Sequence, residues 1–323
     1  MPNTPRAQRS WDQLSWPLRR SLLWLNAGTL LRARDLLDLA WPVAQRDRRN
    51  AGKRLREWAN DQLIVVEPIP KGTAVRLGPL GAAKLHEAGV VETVRLLEAA
   101  PAERVLTGLL LANQLGAGLA LDLMPIAAVA QLAWRCDPFR GTGVRADAIG
   151  ALYYDLHRRP LRTPGPEILT LVPDHPLPEA GHALDILYVE IDLGTETASQ
   201  LAERAQHWRV ALAERYATLP DNCWPMVLWV VDGGPQRMAT VWQRWLSHAR
   251  APLLITTTAQ LAFGDTFHPW YATWWDEHGR ERTLNPWIGQ EPVWRLHSSA
   301  PPDLSRTLSQ AMAAARAAAG RTI

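Results

Sequence analysis

The stretch Leu184-Asp-Ile-Leu-Tyr-Val-Glu-Ile-Asp-Leu-Gly-Thr-Glu-Thr197 decides how the second half of this chain folds. It is an apolar run typical of a buried strand, yet it carries two carboxylates, Glu190 and Asp192. Because side chains alternate across a strand, both carboxylates are expected on one face of the sheet. Buried like charges repel each other and lose hydration, so a divalent cation, an arginine or hydrogen bonds must compensate them. A purely structural network or a helix N-cap is the alternative explanation.

The sequence around this stretch predicts alternating strands and helices. The expected strands are 145–155, 226–232 and 252–257, with a shorter one at 168–172, and the expected helices are 196–216 and 235–249. We expect a loop over 134–143. This alternation is typical of an α/β layered domain. Asp147 stands at the start of one strand and Glu190-x-Asp192 lies in the next long strand, which is the outline of a divalent-metal nuclease site.

The first ninety residues have a different pattern. Apolar spacing predicts helices at 17–26, 33–40 and 47–60, strands at 63–67 and 74–77 on either side of a turn, and a short helix at 81–88. Three helices followed by a β-hairpin is the order of a winged helix-turn-helix. In the third helix, Arg49, Lys53 and Arg56 are spaced to form one exposed stripe.

Positive charge is concentrated in the same region. The formal net charge of the 323 residues is +3, but residues 1–60 hold twelve lysines and arginines against five acidic residues. This excess predicts contact with a polyanion, and a basic helix fits the major groove of DNA. The candidate DNA-binding residues are Arg46, Arg48, Arg49, Lys53, Arg54, Arg56 and Lys71. The alternative is a protein-docking module whose charged stripe is merely solvated.

The cysteines and the apolar segments favour a cytoplasmic protein without a membrane partner. Cys136 and Cys223 lack the spacing of a zinc site or a disulfide framework. The N-terminal residues lack an apolar signal core. The apolar segment 105–123 is interrupted by polar residues and glycines, so we expect a buried helix rather than a membrane span.

Several segments spread along the chain form one recurring set of motifs. They are Val75-Arg-Leu77, Leu80–Gly89, Gly143–Ala148, Val189–Glu196, Arg204 with Trp208, and Val227–Val231. Together they resemble the replication-relaxation proteins of plasmids and other mobile elements. The similarity covers most of the chain, and the Glu-x-Asp-x-Gly-Thr-Glu element is its most specific part.

The resemblance implies a winged helix joined to a nuclease-like domain of the PD-(D/E)xK, or restriction-endonuclease-like, class. Asp147 and Glu190 would then be the carboxylates that hold Mg²⁺ or Mn²⁺. Asp192 stands where an active enzyme usually has lysine. Arg204 on the following helix is the substitute cation, although arginine is a poorer proton shuttle than lysine. The candidate catalytic residues are therefore Asp147, Glu190, Asp192 and Arg204.

These observations predict four segments and one principal function. The segments are a winged helix at 1–90, a helical connector at 91–142, a restriction-endonuclease-like α/β domain at 143–300 and an Ala-rich helix at 301–323. We expect a mobile-element protein that binds DNA in replication, mobilisation or transposition, with a degenerate nuclease-like domain. An active Mg²⁺-dependent endonuclease or nickase and a non-enzymatic transcriptional regulator are the alternatives. Double-stranded DNA is the expected partner, and proteins of those processes and a second copy of the chain, as a homodimer, are further candidates.

Overall fold

The computed structural model describes residues 9–41, 48–70, 72–91, 93–123, 129–136, 146–155, 167–169, 182–220 and 223–284. Within these ranges the chain is a mixed α/β protein. The helices are α1 Trp16–Gly28, α2 Ala33–Ala40, α3 Arg48–Asn60, α4 Pro79–Ala88, α5 Glu103–Leu123, α6 Ala198–Thr218, α7 Pro235–His248 and α8 Thr258–Leu261. The strands are β1 Leu30–Arg32, β2 Ile64–Ile69, β3 Gly72–Leu77, β4 Val129–Cys136, β5 Ala148–Asp155, β6 Glu167–Leu169, β7 His182–Asp192, β8 Cys223–Val231, β9 Leu253–Thr257, β10 Ala262–Phe263, β11 Thr266–Phe267, β12 Trp274–Asp276 and β13 Glu281–Arg282.

The N-terminal part combines α1–α4 with a small antiparallel sheet of order β1-β3-β2. Pro17 lies in the first turn of α1, where its missing N–H costs no hydrogen bond. Strands β2 and β3 form the expected hairpin, and β1 pairs with β3 over Leu30–Arg32. Strand β1 was not predicted, because three residues are too few to show a period.

The larger sheet has the order β13-β12-β9-β8-β7-β5-β4-β6. Strands β7, β8 and β9 are parallel to one another, and β5 runs antiparallel to β7. The helix α6 connects β7 to β8, and α7 connects β8 to β9. The carboxyl ends of three neighbouring strands therefore meet at one edge of the sheet, where the first turns of both helices also lie.

The two faces of this sheet are covered by different helices. Alternate residues of β7 show the division, since Leu187, Val189 and Ile191 pack with the N-terminal helices and α5. Tyr188 instead packs with Trp208 of α6 and with α7. Because Glu190 and Asp192 share the face of Tyr188, they point toward α6 and α7.

The helix α5 joins the N-terminal part to the sheet. A single hydrophobic cluster extends from Leu14 in the N-terminal part through α5 to Leu284. The buried Asn113 of α5 donates to the carbonyl oxygens of Gly28 and Leu30, each at 2.8 Å, and its Oδ1 accepts from the Cys136 thiol at 3.1 Å. The N-terminal helices and the sheet therefore share one core.

The sequence of α5 also meets a simple test for a membrane span. Among the described residues, α5 is the one helix whose length and composition would allow it to cross a membrane. In this structure 67% of its apolar stretch is buried inside the protein. A core helix passes the same test. Its packing is close: a Cβ added at Gly116 would lie 2.4 Å from the Trp134 ring.

Two expectations from the sequence differ from the structure. The loop predicted from Trp134 is wrong for its first residues, because β4 continues to Cys136 and joins the sheet. Arg135 and Gln131 obscure the pattern, although Leu132 and Trp134 pack on the α5 side and Ala133 on the other. The segment expected as a helical connector thus contains one strand of the sheet. The Ala-rich helix expected at 301–323 lies outside the described residues.

Candidate functional site

Glu190 lies near the end of β7 and is 1% exposed. Both of its carboxylate oxygens accept hydrogen bonds from α6. Oε1 accepts from the Trp208 indole at 2.8 Å, and Oε2 accepts from Arg204 Nη1 at 2.7 Å. Residues four apart on a helix lie on one face, so α6 presents both donors to the strand together. A capping box formed by Thr197 and Gln200 fixes the start of this helix.

Asp192, two residues further along β7, is bound by a different helix. Arg237 in the first turn of α7 donates from Nε at 2.6 Å and from Nη2 at 2.8 Å, which is a bidentate pair. The Gly194 amide adds a third hydrogen bond at 3.0 Å. The side chain of Asp192 has no exposed surface. Its hydrogen bonds raise the pKa of the Arg237 guanidinium, so Arg237 stays charged.

A third carboxylate, Glu196, completes the arrangement. Its Oε1 pairs with Arg204 Nη2, so Arg204 bridges Glu190 and Glu196. Glu196 also contributes to the raised pKa of Arg237. We call Glu190, Asp192, Glu196, Arg204 and Arg237 the arginine–carboxylate cluster. Its three carboxylates and two guanidinium groups carry a formal charge of −1.

Asp147 lies beside this cluster, immediately before β5. Its amide donates to the Val189 carbonyl oxygen at 2.8 Å. Its Oδ2 accepts from the Ile191 amide, also at 2.8 Å. Asp147 is therefore held against the β7 backbone on both sides of Glu190. The antiparallel register of β5 and β7 brings together two residues that are 43 positions apart in the sequence.

The four predicted catalytic residues are thus neighbours, but their oxygens already have partners. Glu190 and Asp192 face guanidinium and indole N–H groups, which a cation would have to displace. Across the ranges that the structure describes, no three His, Cys, Asp or Glu side chains are grouped as metal ligands. The residues present do not fit a Mg²⁺ or Mn²⁺ site in this arrangement. What they form is a set of largely buried ion pairs, in which Glu196 Oε2 is the one carboxylate oxygen without a hydrogen bond among the described residues.

Sequence reasoning missed three members of this site. Glu196 was quoted only as the last residue of the family motif, and the structure pairs it with Arg204. Arg237 is another, although the sequence contains a signal for it. Strands β7 and β8 are parallel, so Asp232-Gly233-Gly234 at the end of β8 must lie beside Asp192. A helix that begins there places its first turn over that carboxylate. Trp208 was noted only for its position in the resemblance, and its indole is a direct partner of Glu190.

The predicted DNA-binding residues lie mostly on α3. Lys53, Arg54 and Arg56 are exposed. The side chains of Lys53 and Arg54 are 69% and 52% exposed, with Glu57 at 4.0 Å and 3.6 Å as their ion partner. Arg56 donates to the Gly52 carbonyl oxygen at 3.2 Å.

The remaining DNA-binding candidates cannot be placed in this surface. Arg48 and Arg49 belong to α3, but their side chains are outside the description. Arg46 and Lys71 also lie outside the described residues. Among the described side chains, the exposed cationic face of α3 therefore consists of Lys53, Arg54 and Arg56.

Comparison of the chain with protein-family models, with curated proteins and with solved structures found no match.

Proposed function

We propose that this chain is a DNA-binding protein of a plasmid or other mobile element, which acts in replication, mobilisation or transposition. Its N-terminal part would be a winged helix that binds duplex DNA through α3. Its sheet would be a restriction-endonuclease-like domain that has lost catalysis. The sequence resemblance to replication-relaxation proteins supplies the biological setting of this proposal.

The cationic face of α3 is the observation that carries the DNA-binding proposal. Lys53 and Arg54 are largely exposed and share a single carboxylate, so the face retains positive charge. Opposite it on the helix, Ala51, Leu55 and Trp58 are buried in the N-terminal core. One side of α3 is thus fixed by packing while the other is free to contact phosphates and base edges.

The arginine–carboxylate cluster supports the loss of catalysis. Metal-dependent hydrolysis needs carboxylate oxygens that are open to the ion and to water. Here Glu190 accepts from Arg204 and Trp208, and Asp192 accepts from Arg237 and the Gly194 amide. Asp192 itself stands where the resemblance implies lysine. The cluster therefore stabilises the edge of the sheet and would hold the fold for a partner protein.

Duplex binding by two variants tests the first part of the proposal. We expect Lys53→Ala/Arg54→Ala to weaken binding of a random-sequence duplex. The slope of log affinity against log salt should fall by about 2, because each phosphate contact contributes about 0.9. Arg209→Ala/Arg244→Ala removes the same charge from exposed positions on α6 and α7 and is the matched control. Equal losses in both double variants would contradict binding through α3.

An active nuclease is the second candidate, and the position of Asp147 beside Glu190 favours it. Incubation of supercoiled plasmid with the protein and Mg²⁺ or Mn²⁺ distinguishes an active nuclease domain from a degenerate one. We expect no cleavage by the wild-type chain. Metal-dependent nicking that Glu190→Ala abolishes would mean that the nuclease-like domain is active rather than degenerate. Duplex binding without nicking is also the expected result for a non-enzymatic transcriptional regulator. The position of the bound DNA site tests that alternative.

A further inference from the structure

The first turns of α1 hold a buried arginine, Arg20, for which the described residues provide no carboxylate partner. Arg20 is 7% exposed, and no atom in the described part of the chain accepts a hydrogen bond from its Nε or Nη2. Its guanidinium carbon lies 5.1 Å from the centre of the Trp16 ring. Burial lowers the pKa of Arg20 to about 10, which leaves the side chain charged at neutral pH. A buried cation that gains no carboxylate destabilises the folded state.

Two other sources of positive charge lie on α1 close to Arg20 in sequence. The adjacent Arg19 also has a buried Nε without an acceptor among the described residues. Arg19 Nη1 lies 3.8 Å from Asp12, whose side chain is almost fully exposed. The side chain of Ser15 does not cap α1, so the first amides of this helix add partial positive charge. An anion that approached this part of α1 would be attracted by both guanidinium groups and by the helix N-terminus.

Trp16 adds an exposed aromatic ring beside Arg20. It is 42% exposed although it is a large aromatic residue. The Arg20 guanidinium lies over its ring, and the exposed part of the indole is open to a planar group. Cationic groups beside exposed aromatic rings are how proteins bind single-stranded nucleic acid, because each base can stack on a ring. In a duplex the bases are already stacked on one another.

We propose that Trp16, Arg19 and Arg20 form a nucleotide subsite for single-stranded DNA, in which the guanidinium groups bind a phosphodiester and the indole stacks on its base. This subsite lies on α1 and is separate from the duplex-binding face of α3. The bound phosphate supplies the negative charge that none of the described residues brings to Arg20. The inference does not depend on the function proposed above.

Fluorescence anisotropy of labelled oligo(dT), with the full chain and at several salt concentrations, tests the subsite. We expect Trp16→Ala and Arg20→Met each to weaken binding about 10-fold or more. Arg20→Met should also lower the salt slope by about 0.7, the value for one phosphate contact on a single strand. The matched controls are Phe263→Ala, which removes another exposed aromatic, and Arg209→Met; both should bind as the wild type does.

Thermal unfolding separates a ligand site from a structural role. If Arg20 serves a ligand, Arg20→Met should leave the melting temperature unchanged or raise it, because a buried unpaired charge is removed. Affinity for oligo(dT) within twofold of the wild type in both variants would overturn the subsite, as would no binding by the wild type or equal losses in the controls. If Arg20→Met fails to fold, Trp16→Ala decides the result. Unchanged duplex affinity in the α3 variant contradicts only the proposed function.

Discussion

Replacing Arg237 with methionine should destabilise the sheet strongly. Asp192 has a fully buried side chain, and Arg237 donates two of the three hydrogen bonds that it accepts from the described residues. Methionine keeps much of the packing volume but leaves the carboxylate, among these donors, with the Gly194 amide alone. Removing one partner of a buried ion pair typically costs about 3–5 kcal/mol. Because the Arg237 side chain is 21% exposed, we expect the lower end, about 3 kcal/mol.

Urea denaturation followed by circular dichroism measures this change. With a slope of about 3 kcal/mol per molar urea, the midpoint should fall by about 1 M. Arg244→Met is the control, since Arg244 is exposed on the same helix. Asp192→Asn in the Arg237→Met background removes the unpaired charge, so the double variant should be less destabilised than the sum of the singles. A loss below about 1 kcal/mol, or additive effects within about 0.5 kcal/mol, would refute this reasoning.

Further variants test hydrogen bonding near the same sheet and the packing of α5 against it. Trp208→Phe removes the indole N–H that donates to Glu190 Oε1. Loss of this buried hydrogen bond to a carboxylate should lower the free energy of unfolding by about 1–3 kcal/mol in the same urea assay. An unchanged free energy of unfolding would contradict a stabilising role for this hydrogen bond. Gly116→Ala should destabilise the folded protein by about 1–3 kcal/mol, because the added Cβ would overlap the Trp134 ring. Gly108 lies on the same helix but faces open space, so Gly108→Ala should stabilise the folded protein by up to about 1 kcal/mol. Equal effects of the two alanines on the melting temperature would contradict the close packing of α5.

Local patterns in the sequence predicted many of the elements. The helix expected over 33–40 has the bounds of α2, because Trp41-Pro42 prevents its continuation. The prediction that Glu190 and Asp192 share a face is confirmed, since both face α6 and α7. It follows from the two-residue period of a strand, which needs no knowledge of the rest of the fold. Arginines and hydrogen bonds, two of the three compensators expected, accompany the carboxylates.

Features that depend on contacts distant in sequence were harder to predict. Asp192 and Arg237 are 45 positions apart, and only the parallel register of β7 and β8 brings them together. Strand β4 carries Arg135 within its run, so its alternation was obscured, and its pairing with β5 establishes it as a strand. That the described residues give Arg20 no carboxylate depends on how the neighbouring chain segments are oriented. Composition predicts many arginines but not which of them are paired with a carboxylate.

The hydrogen bonds from Asn113 have a consequence for exchanging parts between proteins. The N-terminal helices end against α5, whose amide satisfies the carbonyl oxygens of Gly28 and Leu30. A hybrid that took residues 1–90 alone would lose both of these hydrogen bonds and would expose leucines that α5 now covers. The transferable unit for protein engineering therefore extends to Leu123. An exchange at that boundary would have to supply a new helix surface for the sheet left behind.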